Sequence, residues 1–529
     1  MKNYILTSII MVLGVLFIYG CTDDGEDNEH NTQNKSETGF GLTEDNHSFK
    51  FNDLTFSMND NFDIIFNEET TKDWGHAEDY IYTYNIEHDG NHVANLKVTN
   101  RTFEEGGILF TEIKEEGSPD VTFDLTYDVD IDDAWHSFDE LDYTFNHNPT
   151  VGVDPLKGPS TLLNSEEGSY LFGRGTLSHD TTEEYEEGNQ SQVRVLDEML
   201  EEESLDPIEY EWNFDGKAEQ FQTWVMYSDE KLIEDEAYID EIKTDMVENY
   251  RRYQKWLTPD GIYAKLPWSV KPFDEMGYGR NIGYQFRSEH RKQYHKKEEL
   301  YDVLFMRNMI TSIEVIKDDF PSYDLPPTEY TSSWLQQPYG LQAPYLDTRH
   351  LSGLGLFYLN MMEIFEVDYM DEYLLYADYL VESLDDPSNS FSVGNDYRLI
   401  GDYDGPGLTE IPHASLNHVL AEIHYLMKAY FETDDTTYLD AAHDMRSAVE
   451  EIGTDWIREE GEYAGDLWYQ INSDLTFSGN DYACLTLEDL HFAQEDFAQT
   501  EYGKSDMLET LYESKLNSGV CDNAPHLSD

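Results

Sequence analysis

The sequence predicts an α+β multidomain protein, an N-terminal antiparallel β domain followed by an (α/α) toroid. Three observations predict it. The apolar period is two from about residue 46 to 228, it changes to helical spacing after Tyr227, and the helices up to about residue 515 are separated by loops rich in Gly, Pro, Trp and Tyr.

Residues 1–20 carry a Lys and then an apolar run ending in Gly20, and Cys21 follows. The Ile-Tyr-Gly-Cys run resembles the lipobox of a bacterial lipoprotein signal peptide, with Ile18 where Leu is usual. That resemblance implies cleavage, lipidation of Cys21 and a place on the extracellular face of the membrane. A transmembrane anchor is the alternative, but a stretch of this length ending in Gly-Cys favours cleavage. Residues 21–45 are acidic and poor in apolar side chains, so they make a flexible tether.

Within 46–228, "DVTFDLTYDVDID" sets Val121, Phe123, Leu125, Tyr127, Val129 and Ile131 on one strand face. "DYIYTYNIEHDGNHVANLKV" reads as two strands around an Asp89-Gly90 turn. "IEYEWNF" and "EQFQTWVMY" continue the pattern, which describes sheets buried on one face, a sandwich. From 229 to 515, segments such as "EELYDVLFMRNMITSIEVI", "SGLGLFYLNMMEIFEV" and "LNHVLAEIHYLMKAYF" have helical spacing. Leu416, Val419, Leu420, Ile423 and Met427 form one apolar stripe. Antiparallel helix pairs with aromatic loops at one end suggest the toroid, with a carbohydrate cleft among the loops. Residues 516–529 form a tail.

Lys+Arg number 33 and Asp+Glu 110, a net charge of −77, yet 14% of residues are aromatic. The chain is therefore folded and acid-coated, suited to a saline medium that screens self-repulsion. Nucleic acid is excluded as a partner, because phosphate binding needs dense Lys and Arg. Cys484 and Cys521 can pair outside the cytoplasm but cannot make a disulfide framework or a thiolate zinc site. His413, His418 and His424 lack the i, i+3 or i+4 spacing of a helical metal pair. There is no Walker loop, dinucleotide fingerprint or nucleophile elbow, so neither metal nor cofactor is expected. A homodimer is left open.

Against this acid background, residues 280–297, "RNIGYQFRSEHRKQYHKK", hold six Lys/Arg and two His. If helical after Gly283, the segment sets Arg287, Arg291 and His295 on one face, beside Arg280. It either pairs with the acid coat or serves an anionic sugar chain. Arg349 and His350 of "LDTRHLSG" occupy a similar loop position. Glu410 lies upstream of Pro412, which suits a first helical turn, where the dipole favours a carboxylate by only about 0.3–1 kcal/mol. Tyr469 and Tyr482 sit in or beside Gly- and Asp-rich loops.

The order of these segments resembles the C-terminal domain of D-glucuronyl C5-epimerases, which act on heparosan-type polysaccharides. The family pattern runs Glu-Tyr-Pro, Leu-Asn, Tyr-Asp-Leu-Arg-His and Asp-Tyr. Here "EIP" supplies Glu410 and Pro412, "LN" is Leu416-Asn417, "WYQI" supplies Tyr469, and "DY" is Asp481-Tyr482. The resemblance covers roughly residues 330–500. Ile411 stands where the family has Tyr, and Ile471-Asn472 replaces its Arg-His. What the resemblance implies is a uronate C5-epimerase without a redox cofactor. Tyr469 and Tyr482 become the acid/base candidates, Glu410 their opposing partner and Tyr403 a stand-in for the lost tyrosine. Arg280, Arg287, Arg291, Arg349 and His350 become the groups that neutralise the uronate. A tyrosine becomes a base only where positive charge lowers its pKa. Two alternatives stay open: a polysaccharide lyase or glycoside hydrolase on the same toroid, and a non-catalytic glycan-binding lipoprotein.

Overall fold

The computed structural model describes residues 41–43, 47–117, 121–130, 135–138, 158–166, 168–186, 188–200, 207–248, 255–286, 299–365 and 367–521. Cys21, Arg287, Arg291 and His295 lie outside the described residues.

Two antiparallel sheets face each other. The smaller runs in the order Gly41–Leu42, Ser48–Phe51, Leu54–Ser57, Thr122–Val129, Ile208–Asn213. The larger has thirteen strands among the described residues, with Gly107–Glu115 and Gln220–Ser228 at its centre. Phe123, Leu125, Tyr127 and Val129 are buried, as the alternation requires. They pack with Phe49, Phe56, Trp212 and Phe221 between the sheets. Trp212 stacks on Phe221 with centroids 4.0 Å apart, one of the large aromatic contacts that dominate such a core. The Asp89-Gly90 hairpin forms as expected, both residues at positive φ (51° and 75°), the geometry a two-residue turn needs to match strand twist.

The larger sheet is buried on its second face too. Leu109, Ile113 and Val225 point into the sandwich. Their neighbours Ile108, Phe110, Trp224 and Met226 pack on helices α1 (Glu236–Glu248) and α3 (Leu300–Asp319) through Ile239, Ile242, Leu304 and Phe305. α3 turns its other side, Met306, Met309, Ile310 and Ile313, to the helical core. Arg101 pins this junction: fully buried, it forks onto Asp79 at 2.8 Å and reaches Asn308 and the Pro259 carbonyl at 2.9 Å.

The larger sheet continues beyond residue 228. After α1, the strands Lys255–Thr258, Gly261–Lys265 and Gly277–Arg280 return to the larger sheet, the last pairing with Gln190–Met199. Short strands separated by Gly and Pro carry too few residues to show a period, which is why the sequence reading assigned them to the helical part.

Beyond them come α2 (Ile282–Gln285), α4 (Ser333–Tyr339), α5 (Thr348–Phe365), α6 (Met370–Asp385), α7 (Leu416–Thr433), α8 (Thr436–Ile452), α9 (Leu485–Phe497) and α10 (Asp506–Ser518). α5 packs on α6 and α7, α7 on α8 and α9, and α9 on α10. The stripe Leu416, Val419, Leu420, Ile423 and Met427 is fully buried at the centre of this packing. The described residues are thus mixed α+β, and loops at the N-terminal ends of α5, α7 and α9 gather the candidate site.

Candidate functional site

The start of α7 organises the site. Pro412 does not open the helix; Ala414–Ser415 pairs antiparallel with Ile471 and Gln470, and α7 begins at Leu416. The cause is Asp402, whose carboxylate accepts a hydrogen bond from the Ser415 backbone N at 2.8 Å and a second from the Ser415 hydroxyl. The extended segment is satisfied without a helical turn. Glu410 is consequently not at a helix N-terminus. It is exposed in the preceding loop, where its charge helps raise the Tyr339 phenol.

Asp402 is fully buried between two imidazoles. His413 Nε2 lies 3.2 Å from Oδ2 and His418 Nδ1 3.7 Å from Oδ1. Burial alone would raise this carboxyl, but His418, His413 and Ser415 outweigh it and hold it below the ordinary value. Burial in turn holds His418 below the usual imidazole value against the pull of Asp402; its Nδ1 is 2.9 Å from the Thr348 hydroxyl. His413 Nδ1 lies 2.8 Å from the Tyr339 hydroxyl at the end of α4. Tyr339, His413 and Asp402 therefore lie in series, the first two joined by a hydrogen bond and the last two by a 3.2 Å charge contact.

Aromatic rings continue from His413. Its centroid is 5.9 Å from both Tyr403 and Tyr469, and Tyr469 meets Tyr482 edge-on at 5.8 Å. Tyr469 sits on the strand Trp468–Ile471, which pairs with Phe477–Asn480. Gly479, with φ of 81°, lets the two backbones approach; a Cβ there would lie 3.0 Å from the Tyr469 Cβ. Burial first, and then Asp402, push the Tyr469 phenol well above its ordinary value. It is a held proton, not the cation-activated base the sequence reading required.

Tyr482 is 54% exposed. Its surroundings and the Asp347 and Asp481 carboxylates raise its phenol too, while Arg349 opposes them. The segment is fixed from behind. Asp481 accepts from Thr486 at 2.8 Å and from Lys515 at 2.7 Å, and Lys515, itself buried, reaches Asp466 at 2.8 Å. A disulfide joins Cys484 to Cys521.

Arg349 is the guanidinium of this site. It donates to the Asn417 carbonyl at 2.6 Å and to Asp489 at 2.9 Å. Burial pushes the Asp489 carboxyl up to about 6, with Arg349 opposing. His350 Nδ1 is 3.3 Å from Asp347, and its ring lies so close to Gly283 that a Cβ there would be 2.5 Å away. Asp347, His350 and Tyr403 line a cleft of about 290 Å³ together with Lys265, Asn281 and Trp334.

The structure thus brings Tyr403, Tyr469, Tyr482, Arg349 and His350 together. Arg280 is elsewhere, because its side chain lines a different pocket, bonded to Glu329 at 2.7 Å and Asp319 at 2.6 Å. At that position the charge pairs with the acid background, the plainer of the two readings. Arg287, Arg291 and the lipidation candidate Cys21 lie outside the described residues. Among the described residues, no group of three or more His, Cys, Asp or Glu is placed to hold a metal.

Sequence reasoning missed Tyr339, Asp402 and His413. His413 and His418, five apart, share no helix face; they reach one carboxylate only because the chain is extended to Ser415 and helical after it. Tyr339 is 74 residues from His413, with no motif to connect them.

No family model matches the chain, and no curated protein matches it. Among solved structures it is similar to a D-mannose isomerase at 12% identity, covering 54% of this chain and 70% of that one, with a TM-score of 0.33. It is similar to a family 76 glycoside hydrolase from a bovine Bacteroides thetaiotaomicron strain at 10% identity, covering 69% and 78%, with a TM-score of 0.33. A polysaccharide lyase is 9% identical over 91% of this chain and 82% of its own, with a TM-score of 0.29.

Proposed function

We propose that the protein is a carbohydrate-active enzyme of C5-epimerase type, inverting C5 of a hexuronic acid residue in an acidic polysaccharide. One observation carries this reading: two proton-handling arrangements of different character, the Tyr339–His413–Asp402 series and the protonated Tyr469 phenol, meet at one site. Inversion needs a group that takes the C5 proton and a second that returns one to the opposite face. Burial and the Asp402 and Glu410 charges raise the Tyr339 phenol, so it takes the C5 proton not as a cation-lowered phenolate but by handing its own proton to His413 in the same step, and Asp402 stabilises the resulting imidazolium. Tyr469 keeps its proton and is the donor, with Tyr482 at its edge. Arg349 and His350 face the uronate carboxylate, into which the carbanion-like charge spreads. Tyr403 shapes the cleft, and Glu410, exposed near Tyr339, tunes that phenol.

The second reading is a lyase. Its first step is the same C5 proton abstraction, after which the electron pair forms the C4–C5 double bond and expels the 4-O substituent. A phenol held protonated, as Tyr469 is, suits that leaving group equally well. The two separate in heavy water with heparosan and alginate as substrates. An epimerase places deuterium at C5 of intact chains, whereas a lyase produces an ultraviolet-absorbing unsaturated uronate. Neither signal on either polymer refutes both.

The helical part is proposed to close as an (α/α) toroid around this site. The chain is further proposed to be held on the extracellular face of a membrane through lipidated Cys21. The Cys484–Cys521 disulfide supports an oxidising compartment.

A further inference from the structure

Trp268 and Trp334 are 55% and 65% exposed, and their rings meet edge-on with centroids 5.9 Å apart. Such rings are normally buried or half-buried, so a paired exposure asks for an explanation. The pair is rigidly built. Val270–Lys271 and Thr331–Ser332 pair as strands. Ser333 adds two bonds to the Ser269 carbonyl, from its backbone N at 2.7 Å and its hydroxyl at 2.8 Å. Leu335 anchors α4 by packing on Leu341 and Tyr345, and this leaves Trp334 turned outward. Trp334 also lines the cleft that holds Asp347, His350 and Tyr403.

We infer that Trp268 and Trp334 form an angled aromatic platform for a pyranose ring of the polysaccharide, next to the ring that reacts, one indole stacking on the sugar face and the other bordering its edge. This rests on the proposed function and adds to it a binding subsite for a longer chain. A sugar ring offers C–H groups on one face that suit an indole, and its hydroxyls meet the polar cleft beside it. The exposed area suits one sugar, not a protein partner. Two half-exposed indoles offer roughly 300 Å², whereas a stable interface takes about 800 Å² from each side. Continuity with the cleft sets the path of the chain between the platform and Tyr403.

The test is binding of the full chain to heparosan and to alginate by affinity electrophoresis and by tryptophan fluorescence. Trp268→Ala and Trp334→Ala are compared with Trp334→Phe and with Tyr469→Phe. Both alanine variants are expected to bind polymer at least tenfold more weakly with unchanged circular dichroism, Trp334→Phe to retain most of the affinity, and Tyr469→Phe all of it. Polymer affinity unchanged in the alanine variants overturns the platform, and if those variants instead lose self-association the pair belongs to a second copy of this chain. Absence of polymer binding by the parent protein also overturns it. Tryptophan-dependent binding without deuterium exchange or lyase product leaves the platform standing and removes the catalytic reading.

Discussion

The Tyr339 hydroxyl and His413 Nδ1 lie 2.8 Å apart, and the other nitrogen of the same ring is 3.2 Å from Asp402. One imidazole thus links a half-buried phenol to a buried carboxylate. If this series handles a proton, removing the hydroxyl removes the function and little else. Tyr339→Phe is expected to lower kcat by about 10²–10⁴-fold, the usual worth of a general acid or base, with KM nearly unchanged. Asp402→Asn should fall in the same range, and the double variant should be no worse than the poorer single one. Steady-state kinetics with circular dichroism as a fold control checks this.

Glu422 is fully buried on α7, and burial pushes its carboxyl up to about 8. Unfolded, the same group titrates near about 4.3. Between those values the folded chain holds a proton that the unfolded chain has released, so stability falls as pH rises through the window. Glu422→Gln is expected to raise the unfolding free energy at pH 8 by on the order of a few kcal/mol, seen as a higher Tm. The gain should shrink to nothing below about pH 4, where both states are protonated. Thermal melts across pH measure it.

The disulfide spans 37 residues and ties the chain down two residues after Tyr482. Loop-closure entropy for that length is worth about 4 kcal/mol. Replacing both Cys484 and Cys521 by Ser is expected to lower Tm by several degrees. Hydrogen exchange should accelerate first at 480–484, next to Tyr482. Melts and exchange mass spectrometry report both.

A net charge of −77 repels itself. Raising salt from about 0.1 to 1 M shortens the screening length from about 10 to 3 Å, and Tm is expected to rise across that range. A flat or falling Tm would contradict the view of the surface as a salt-adapted coat.

The β sandwich was legible because its strands keep a strict period of two, and α7 because its stripe keeps a helical one. The returning strands of 255–280 were not, being short and interrupted. Tyr469 and Tyr482 were named through the order of motifs and Tyr403 as a stand-in, and the structure sets the three in one run with His413. Asp402 and His413 could not be found that way. Their pairing depends on Ser415 holding an extended run onto a buried carboxylate, a tertiary relationship that no local spacing encodes.

Deuterium incorporation at C5 of heparosan in heavy water, followed by NMR for the parent protein and for Tyr469→Phe, tests the central claim most directly. The account predicts inverted, C5-deuterated product from the parent chain and near loss of inversion in the variant, with polymer binding retained. Undiminished inversion in Tyr469→Phe would contradict it.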